Sequence, residues 1–485
     1  MTTTLAIAFA GIVVIAATGF LSRRRPAPNL EEWTVAGRRF GATTMWFLQA
    51  GEIYTTFTFL ALSGLAYAGG ASVFYAIPYV PLAFIVLYFL GPRIWRLGKE
   101  RDYLTEADFF EDRYGSKALS YLVAFLGIVF LIPYLQLQVT GLGDIVKIAT
   151  GNSTSSTLSM VIAFLLTIGF VLWAGIRSTA FTSYFKDAVM LVILFVLAIA
   201  IPTHFSGSIS GMFHQLRATL PHQLSLGGAG HYNRWFFLSS LVVSLIGGFY
   251  TLPHNWPPLL SARDEKVLRR NYTYLPLYQI GIVLPMIVGF TGLVVFSNSH
   301  VKANSILLTL TAKALPPWVL GITVVAGIAT AMVPAAGLLL GITSLFSRNI
   351  VRSSNPRVTF ATNQVAVVVA TGIALFFAIF TPSLLANLLL LTFSGLAQLA
   401  PGVVAGAWLG ARRPRAGSIL GGIVVGEVLV AWLSLAKIPI DHVNPGIIGL
   451  AANLVVVVVA EVAQRAAAPR PAPAAQAVPG GGPQP

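Results

Sequence analysis

Stretches of about twenty apolar residues recur along the whole chain, separated by short connections that hold most of its charge. A run of that length makes an α-helix that crosses the roughly 30 Å hydrocarbon core of a bilayer, whereas a transmembrane barrel shows alternating segments of about ten. Of the 485 residues only 10% are charged and 56% are hydrophobic, and the mean hydropathy is +0.79. A soluble domain carries about 25% charged residues. The pattern predicts an all-α polytopic membrane protein. The absence of cysteine excludes disulfides, thiolate nucleophiles, iron–sulfur clusters and cysteine-based zinc sites.

Thirteen hydrophobic spans are read near 3–21, 43–68, 73–92, 119–142, 158–176, 183–203, 235–255, 273–296, 318–346, 362–380, 383–408, 417–436 and 444–463. With the N-terminus outside, the inside connections collect 25 of the 31 Lys and Arg residues, including Arg23–Arg25, Arg38, Arg39, Arg348, Arg352 and Arg412. That bias sets the expected orientation, N-terminus out and C-terminus cytoplasmic, in a plasma (inner) membrane. It also accounts for the net charge of +15 without nucleic acid as a partner. Residues 1–25 lack the basic n-region of a secretory leader and read as an uncleaved first span. The Ala/Pro/Gly-rich tail, 466–485, reads as a disordered cytoplasmic end. The bilayer and a small-molecule substrate are the expected partners, with no obligatory protein partner evident and no cofactor besides a coupling cation.

Two spans carry signs of interruption. The second contains Gly51-Glu52-Ile53-Tyr54-Thr55, and the seventh contains Gly247-Gly248-Phe249-Tyr250-Thr251 followed by Pro253, His254 and Asn255. A helix breaks inside a membrane only where the freed backbone lines a site or is buried in protein, and paired breaks in two halves point to an inverted-repeat transporter. Glycines alone also serve helix packing, but here hydroxyls, an acid and a histidine accompany them. Glu52, inside the first break, reads as an ion- or proton-pathway acid, because intramembrane charge is costly. Asp187 beside Lys186 reads as a local interfacial pair at the inner end of the sixth span, and Glu427 as structural or lipid-interface. No Lys or Arg is read as embedded mid-span.

The segments "WTVAGRRFG", "YLTEADFFEDRYG", "PLLSARDEKVLRRN" and "LTFSGLAQLAPGVVAGAWLGARR" resemble the solute:sodium symporters over roughly residues 30–440. "GEIYTTFTFLALSGLAY" and "AMVPAAGLLLGITSLFSRNI" look most like the monocarboxylate permease branch of that family. The resemblance implies a leucine-transporter-type core of five plus five helices. Its division would be 1–40 (first span and loop), 41–203 (first repeat), 204–234 (extracellular loop), 235–411 (second repeat), 412–465 (two peripheral spans) and 466–485 (tail). It also implies a sodium site between the second and ninth spans, which places Glu52 and Thr55 at carbonyl positions and Thr330, Val333 and Pro334 opposite. Val333 brings no side-chain oxygen and Pro334 only its carbonyl, so the usual hydroxyl pair is missing. Glu52 then either replaces the lost oxygens as a sodium ligand, alongside Thr55 and Thr330, or carries a proton instead.

Substrate would bind at mid-membrane between the two breaks. Gln49, Tyr54, Gln136, Tyr250, Thr251, His254 and Gln398 are the polar candidates, with Gln138 as alternate to Gln136 because residues two apart cannot share a helix face. His254 reads as a proton relay or a hydrogen-bonded structural residue. A small anion held by helix termini and amides is favoured over a dicarboxylate. The expected function is cation-coupled symport of a monocarboxylate such as pyruvate, lactate or acetate. The alternative is symport of an amino acid or other small solute. A channel would need charged rings or a carbonyl filter, and a membrane-embedded enzyme would need clustered ligands or a nucleophile–base pair; neither pattern is present.

Overall fold

Backbone groups in hydrocarbon must be satisfied within their own segment, so apolar runs of this length fold as helices. A computed structural model describes residues 2–22, 30–151, 155–173, 176–226, 232–297, 301–436 and 440–467. Arg23–Arg25 and nearly all of the 466–485 tail lie outside the described residues. Nine helical stretches among those described are long and apolar enough to cross a membrane, and three shorter apolar helices, Thr3–Thr18, Ser156–Leu172 and Arg234–Gly247, accompany them. One of the nine, Phe57–Arg101, contains a turn at Gly70, whose φ of 55° favours glycine.

The helices that frame the bundle are, in chain order, α1 (Thr2–Ser22), α2 (Ala42–Ile53), α3 (Leu62–Gly69), α4 (Ala76–Arg101), α5 (Glu106–Tyr114), α6 (Lys117–Ala149), α7 (Ser156–Trp173) and α8 (Ile176–Ser206), with short helices at Leu30–Val35, Ile209–Thr219 and Ile306–Ala314 in the connections. They continue as α9 (Arg234–Gly247), α10 (Trp256–Ser261), α11 (Glu265–Tyr278), α12 (Val283–Val295), α13 (Pro317–Leu345) and α14 (Pro356–Phe380). The last are α15 (Leu385–Leu396), α16 (Ala400–Trp408), α17 (Ala416–Leu435) and α18 (Pro445–Ala466). Helix α13 is the central post, packed against α1, α6, α8 and α14. It is apolar all round and almost wholly buried, as a helix surrounded by other helices should be. The bundle's outer face exposes Val192, Phe195, Phe376, Phe380, Val455 and Val459, an apolar surface suited to lipid. Helices α17 and α18 pack on each other, with Gly422 and Gly426 meeting Asn453.

The segments that carry the family resemblance tie one end of the bundle together. The Arg38 guanidinium donates to the carbonyls of Leu260 and Tyr103, and Phe40 pairs through its backbone with Ser261 and Arg263. Asp264 caps α11 through the Val267 N–H, while Glu265 takes both hydrogen bonds of Arg96. Asp264 therefore fixes the start of α11, and Glu265 ties it to α4. Thr105 and Asp108 form a capping box at the start of α5, and Arg352 makes a two-pronged pair with Glu111 that holds its carboxyl below the usual range. An open cavity of about 990 Å³ lies among Arg101, Asp108, Arg348, Arg352 and Arg357.

Glu106, at the first position of α5, is fully buried with both carboxylate oxygens lacking a hydrogen-bond partner, and burial pushes its pKa well above the ordinary carboxylate range. A raised folded-state pKa means its contribution to stability is fully present below the unfolded value and is lost as pH rises through the folded value. Glu106→Gln carries no such dependence. Its stability relative to the parent is expected to rise with pH by up to about 1.4 kcal/mol per unit above the unfolded pKa while the acid remains protonated. Thermal unfolding between pH 5 and 8 reads this directly, and parallel profiles for the two proteins would contradict it.

Candidate functional site

The second span is broken where its glycine and hydroxyls fall. Helix α2 stops at Ile53, Tyr54 takes φ −92° and ψ 87°, and the chain re-enters helix through a widened turn in which the Leu62 N–H reaches back to the Phe57 carbonyl. Side-chain hydroxyls replace part of the lost ladder. Thr55 Oγ1 accepts from the Phe57 N–H at 3.1 Å, and Thr58 donates to the Ile53 carbonyl at 2.9 Å. The seventh span breaks likewise between α9 and α10. There Thr251 donates to the Ile246 carbonyl, Asn255 to that of Phe249 and Trp256 to that of Tyr250. A Cβ on Gly247 would stand 2.2 Å from the Phe393 carbonyl, so the glycine is what lets this broken end approach α15.

The two breaks meet at Glu52. Its side chain is 5% exposed, Oε2 lies 3.8 Å from His254 Nε2, and that oxygen has no hydrogen-bond partner. Helix α13 closes the contact. A Cβ at Gly337 would fall 2.3 Å from Glu52 Oε1, and one at Gly341, a turn further on, 2.8 Å from His254. These glycines form a shallow groove that receives the acid and the imidazole. The Tyr134 ring stands edge-on to His254 at 5.6 Å between centroids. A cavity of about 20 Å³ flanks Glu52 among Gln49, Tyr250, Asn255, Trp256 and Tyr272, and a second of about 20 Å³ lies toward Tyr134, His254 and Phe393. Each has room for about one water, so the side chains are closed around the site.

The candidates divide accordingly. Gln49, Glu52, Tyr250 and His254 come together around these cavities. Gln49 is fixed there, donating to the Tyr272 hydroxyl and accepting from Asn271. Tyr54 turns away and donates to the Tyr278 carbonyl at 2.6 Å. Thr251 is spent on its own helix end. Gln136 donates to the Thr381 carbonyl, and it is Gln138 that reaches the break, accepting from Thr56 at 2.6 Å. Gln398 lies elsewhere, bonded to the carbonyls of Ser394 and Gly446 beside Asn453 of α18. Thr55, Thr330, Val333 and Pro334 are all buried. The Thr330 hydroxyl bonds the Gly327 carbonyl of its own helix, while its carbonyl faces the Thr56 hydroxyl at 3.5 Å.

Lys186 corrects the sequence reading. It was expected at the membrane interface, yet its side chain is 0% exposed and that of Asp187 only 2%. The pair itself exists, with Nζ 2.7 Å from Asp187 Oδ1. The ammonium also donates to the carbonyls of Gly51 at 2.9 Å and Tyr54 at 2.6 Å, on the broken segment of the second span. A lysine is therefore embedded after all. Its position ten residues into α8 places it far from the helix end, and its oxygen partners come from a helix more than 130 residues away in sequence. Glu427 is half-buried on α17 with neither oxygen bonded, remote from the two breaks.

Two discontinuous helices meeting at a buried acid, inside a bundle with an apolar outer face, define a secondary active transporter rather than an enzyme. Residues 33–425 match the family model of the sodium:solute symporter family, and the chain belongs to that family. It is 33% identical over 465 residues to the uncharacterized symporter YhjB of Bacillus subtilis (strain 168), covering 95% of this chain and 94% of that one. It is 29% identical to a monocarboxylate transport permease protein of Rhizobium johnstonii, covering 96% and 98%, and 24% identical to the sodium/pantothenate symporter of Haemophilus influenzae, covering 77% and 78%. Among solved structures, a Na+-coupled sialic acid symporter in a substrate-bound outward-open state superposes with a TM-score of 0.78 at 16% identity, covering 96% of this chain and 98% of that one. The fold is thus of the leucine-transporter type, and the family's activity is cation-coupled symport.

Proposed function

We propose that the chain carries a small monocarboxylate of the pyruvate, lactate or acetate class together with a coupling cation, by alternating access around Glu52. The observation that carries this reading is the meeting of both helix breaks at an acid with an unpartnered oxygen. Glu52 and Asp187 against Lys186 leave one formal negative charge in the core, and a coupling sodium ion or proton would neutralise it. Lys186, fully engaged by Asp187 and two carbonyls, is no partner for a second substrate carboxylate, which favours a monoanion. The Gln49, Asn255, Trp256 and tyrosine side chains around the cavity suit a small carboxylate and its carbonyl or hydroxyl. The name of the Rhizobium relative supports that substrate class. The two repeats, 41–203 and 235–411, would rock about this centre, with the N-terminus outside as the basic connections favour.

Labelled pyruvate uptake into proteoliposomes tests the proposal, with an inward sodium gradient at equal pH set against an inward proton gradient without sodium. Accumulation under either gradient bears it out, and none under both refutes the substrate class. Tyr250→Ala is expected to raise the half-saturation about tenfold, the loss of one good polar contact of about 1.4 kcal/mol. An unchanged half-saturation would move the substrate away from the seventh-span break.

A further inference from the structure

The break of the second span strips the Gly51 and Tyr54 carbonyls of the N–H donors an unbroken helix would supply. Unwound carbonyls of this kind are natural ligands for a small cation. In this chain both point at Lys186 Nζ, at 2.9 and 2.6 Å, and the third partner of the ammonium is Asp187 at 2.7 Å. Two of the three donors of the ammonium go to these carbonyls, and Asp187 supplies its countercharge. The approach is built in by Gly51, where a Cβ would stand 2.6 Å from Ser183 Oγ. A larger residue there would press on Ser183, one turn before Lys186, and on the lysine stem itself.

The facing helix offers a competing ion little. A sodium ion takes about five or six oxygens at short range, and hard cations are selected by oxygen number. On α13 the Thr330 hydroxyl is turned to the Gly327 carbonyl, Val333 has no side-chain oxygen, and the Thr330 carbonyl faces Thr56. We propose that Lys186 is itself the cation of this cage, a tethered ammonium that occupies the Gly51 and Tyr54 carbonyls where an oxygen-ligated sodium ion would otherwise use them, so that no sodium ion binds at these two carbonyls of the second-span break. Its consequence for transport rests on the cation-coupled reading above: the coupling ion must then act elsewhere than at these carbonyls. The ion-binding statement stands without it.

The test uses the purified full-length protein without substrate, in a Glu52→Gln background that serves as the parent because it removes the other acid at which sodium could act, with thermal unfolding followed as sodium chloride replaces choline chloride at constant pH and ionic strength. The parent is expected to show no saturable shift. Lys186→Ala leaves the Asp187 carboxylate facing two bare carbonyls, and it is expected to gain a saturable upward shift of a few degrees with sodium but not with potassium. Saturable stabilisation of the parent by sodium overturns the proposal. So does a Lys186→Ala protein that unfolds like the parent and ignores sodium. Should that variant fail to fold, the parent titration still decides. Gradient-free exchange of labelled pyruvate, run in parallel, reads the substrate proposal separately, because its loss would leave the sodium titration unchanged.

Discussion

Glu52→Gln is expected to abolish concentrative uptake while leaving insertion, yield and gradient-free exchange intact. The substitution keeps the shape of the side chain and removes only its charge. The space around it is already fixed on three sides, by His254 at 3.8 Å, by Gly337 of α13 and by the cavity wall of Gln49 and Tyr250. A buried carboxylate with an unpartnered oxygen costs several kcal/mol relative to a neutral isostere, so the fold itself gains nothing from the charge. What the charge can do is hold a cation or proton in one state of the cycle and release it in another. Without it, solute still exchanges across the barrier, but the gradient is no longer transmitted and the accumulation ratio falls to about one. Gly337→Val should reproduce the defect from the other side of the contact, since its Cβ would overlap Glu52 Oε1. The measurement is uptake under the gradient that drives the parent. Parental accumulation by Glu52→Gln would remove Glu52 from the coupling path.

The fold and one half of this centre were legible in the sequence for a physical reason. Hydrophobic length and basic asymmetry are one-dimensional signals, as is a glycine and hydroxyl cluster in an apolar run, so the helical class and both breaks could be read directly. Glu52 stood out because nothing in its own neighbourhood could neutralise it. Lys186 did not, because Asp187 supplied an obvious neighbour and helix ends are where such pairs usually sit. Its decisive partners, the carbonyls of Gly51 and Tyr54, exist only because another helix is broken and packed against α8. The amides show the same limit. Gln136, Gln138 and Gln398 are alike as intramembrane polar residues, and only packing directs Gln138 to Thr56, Gln136 to Thr381 and Gln398 to α18. Gly337 and Gly341 gave no sequence signal beyond a small-residue helix, yet they set how closely α13 approaches the acid and the histidine.

Asp187→Asn is expected to destabilise the protein by about 3–5 kcal/mol, the cost of leaving one partner of a buried ion pair uncompensated. With side chains 0% and 2% exposed, water cannot take the place of the lost carboxylate. The two carbonyls still hold Lys186, so the ammonium cannot withdraw without breaking both of those bonds. An amide at 187 accepts one hydrogen bond from the ammonium but offers it no countercharge. The double variant Lys186→Met, Asp187→Leu removes both charges and should recover much of the loss, although it bares the carbonyls of Gly51 and Tyr54 and so should not exceed the parent. A double-mutant cycle on thermal unfolding in detergent separates the pair from its surroundings. A coupling of about 3 kcal/mol is the mark of a dry, mutually dependent pair, whereas exposed pairs measure below about 1 kcal/mol. Asp187→Asn within about 0.5 kcal/mol of the parent, the range of an ordinary surface change, would mean that water reaches Lys186 and that the cage at the break is open.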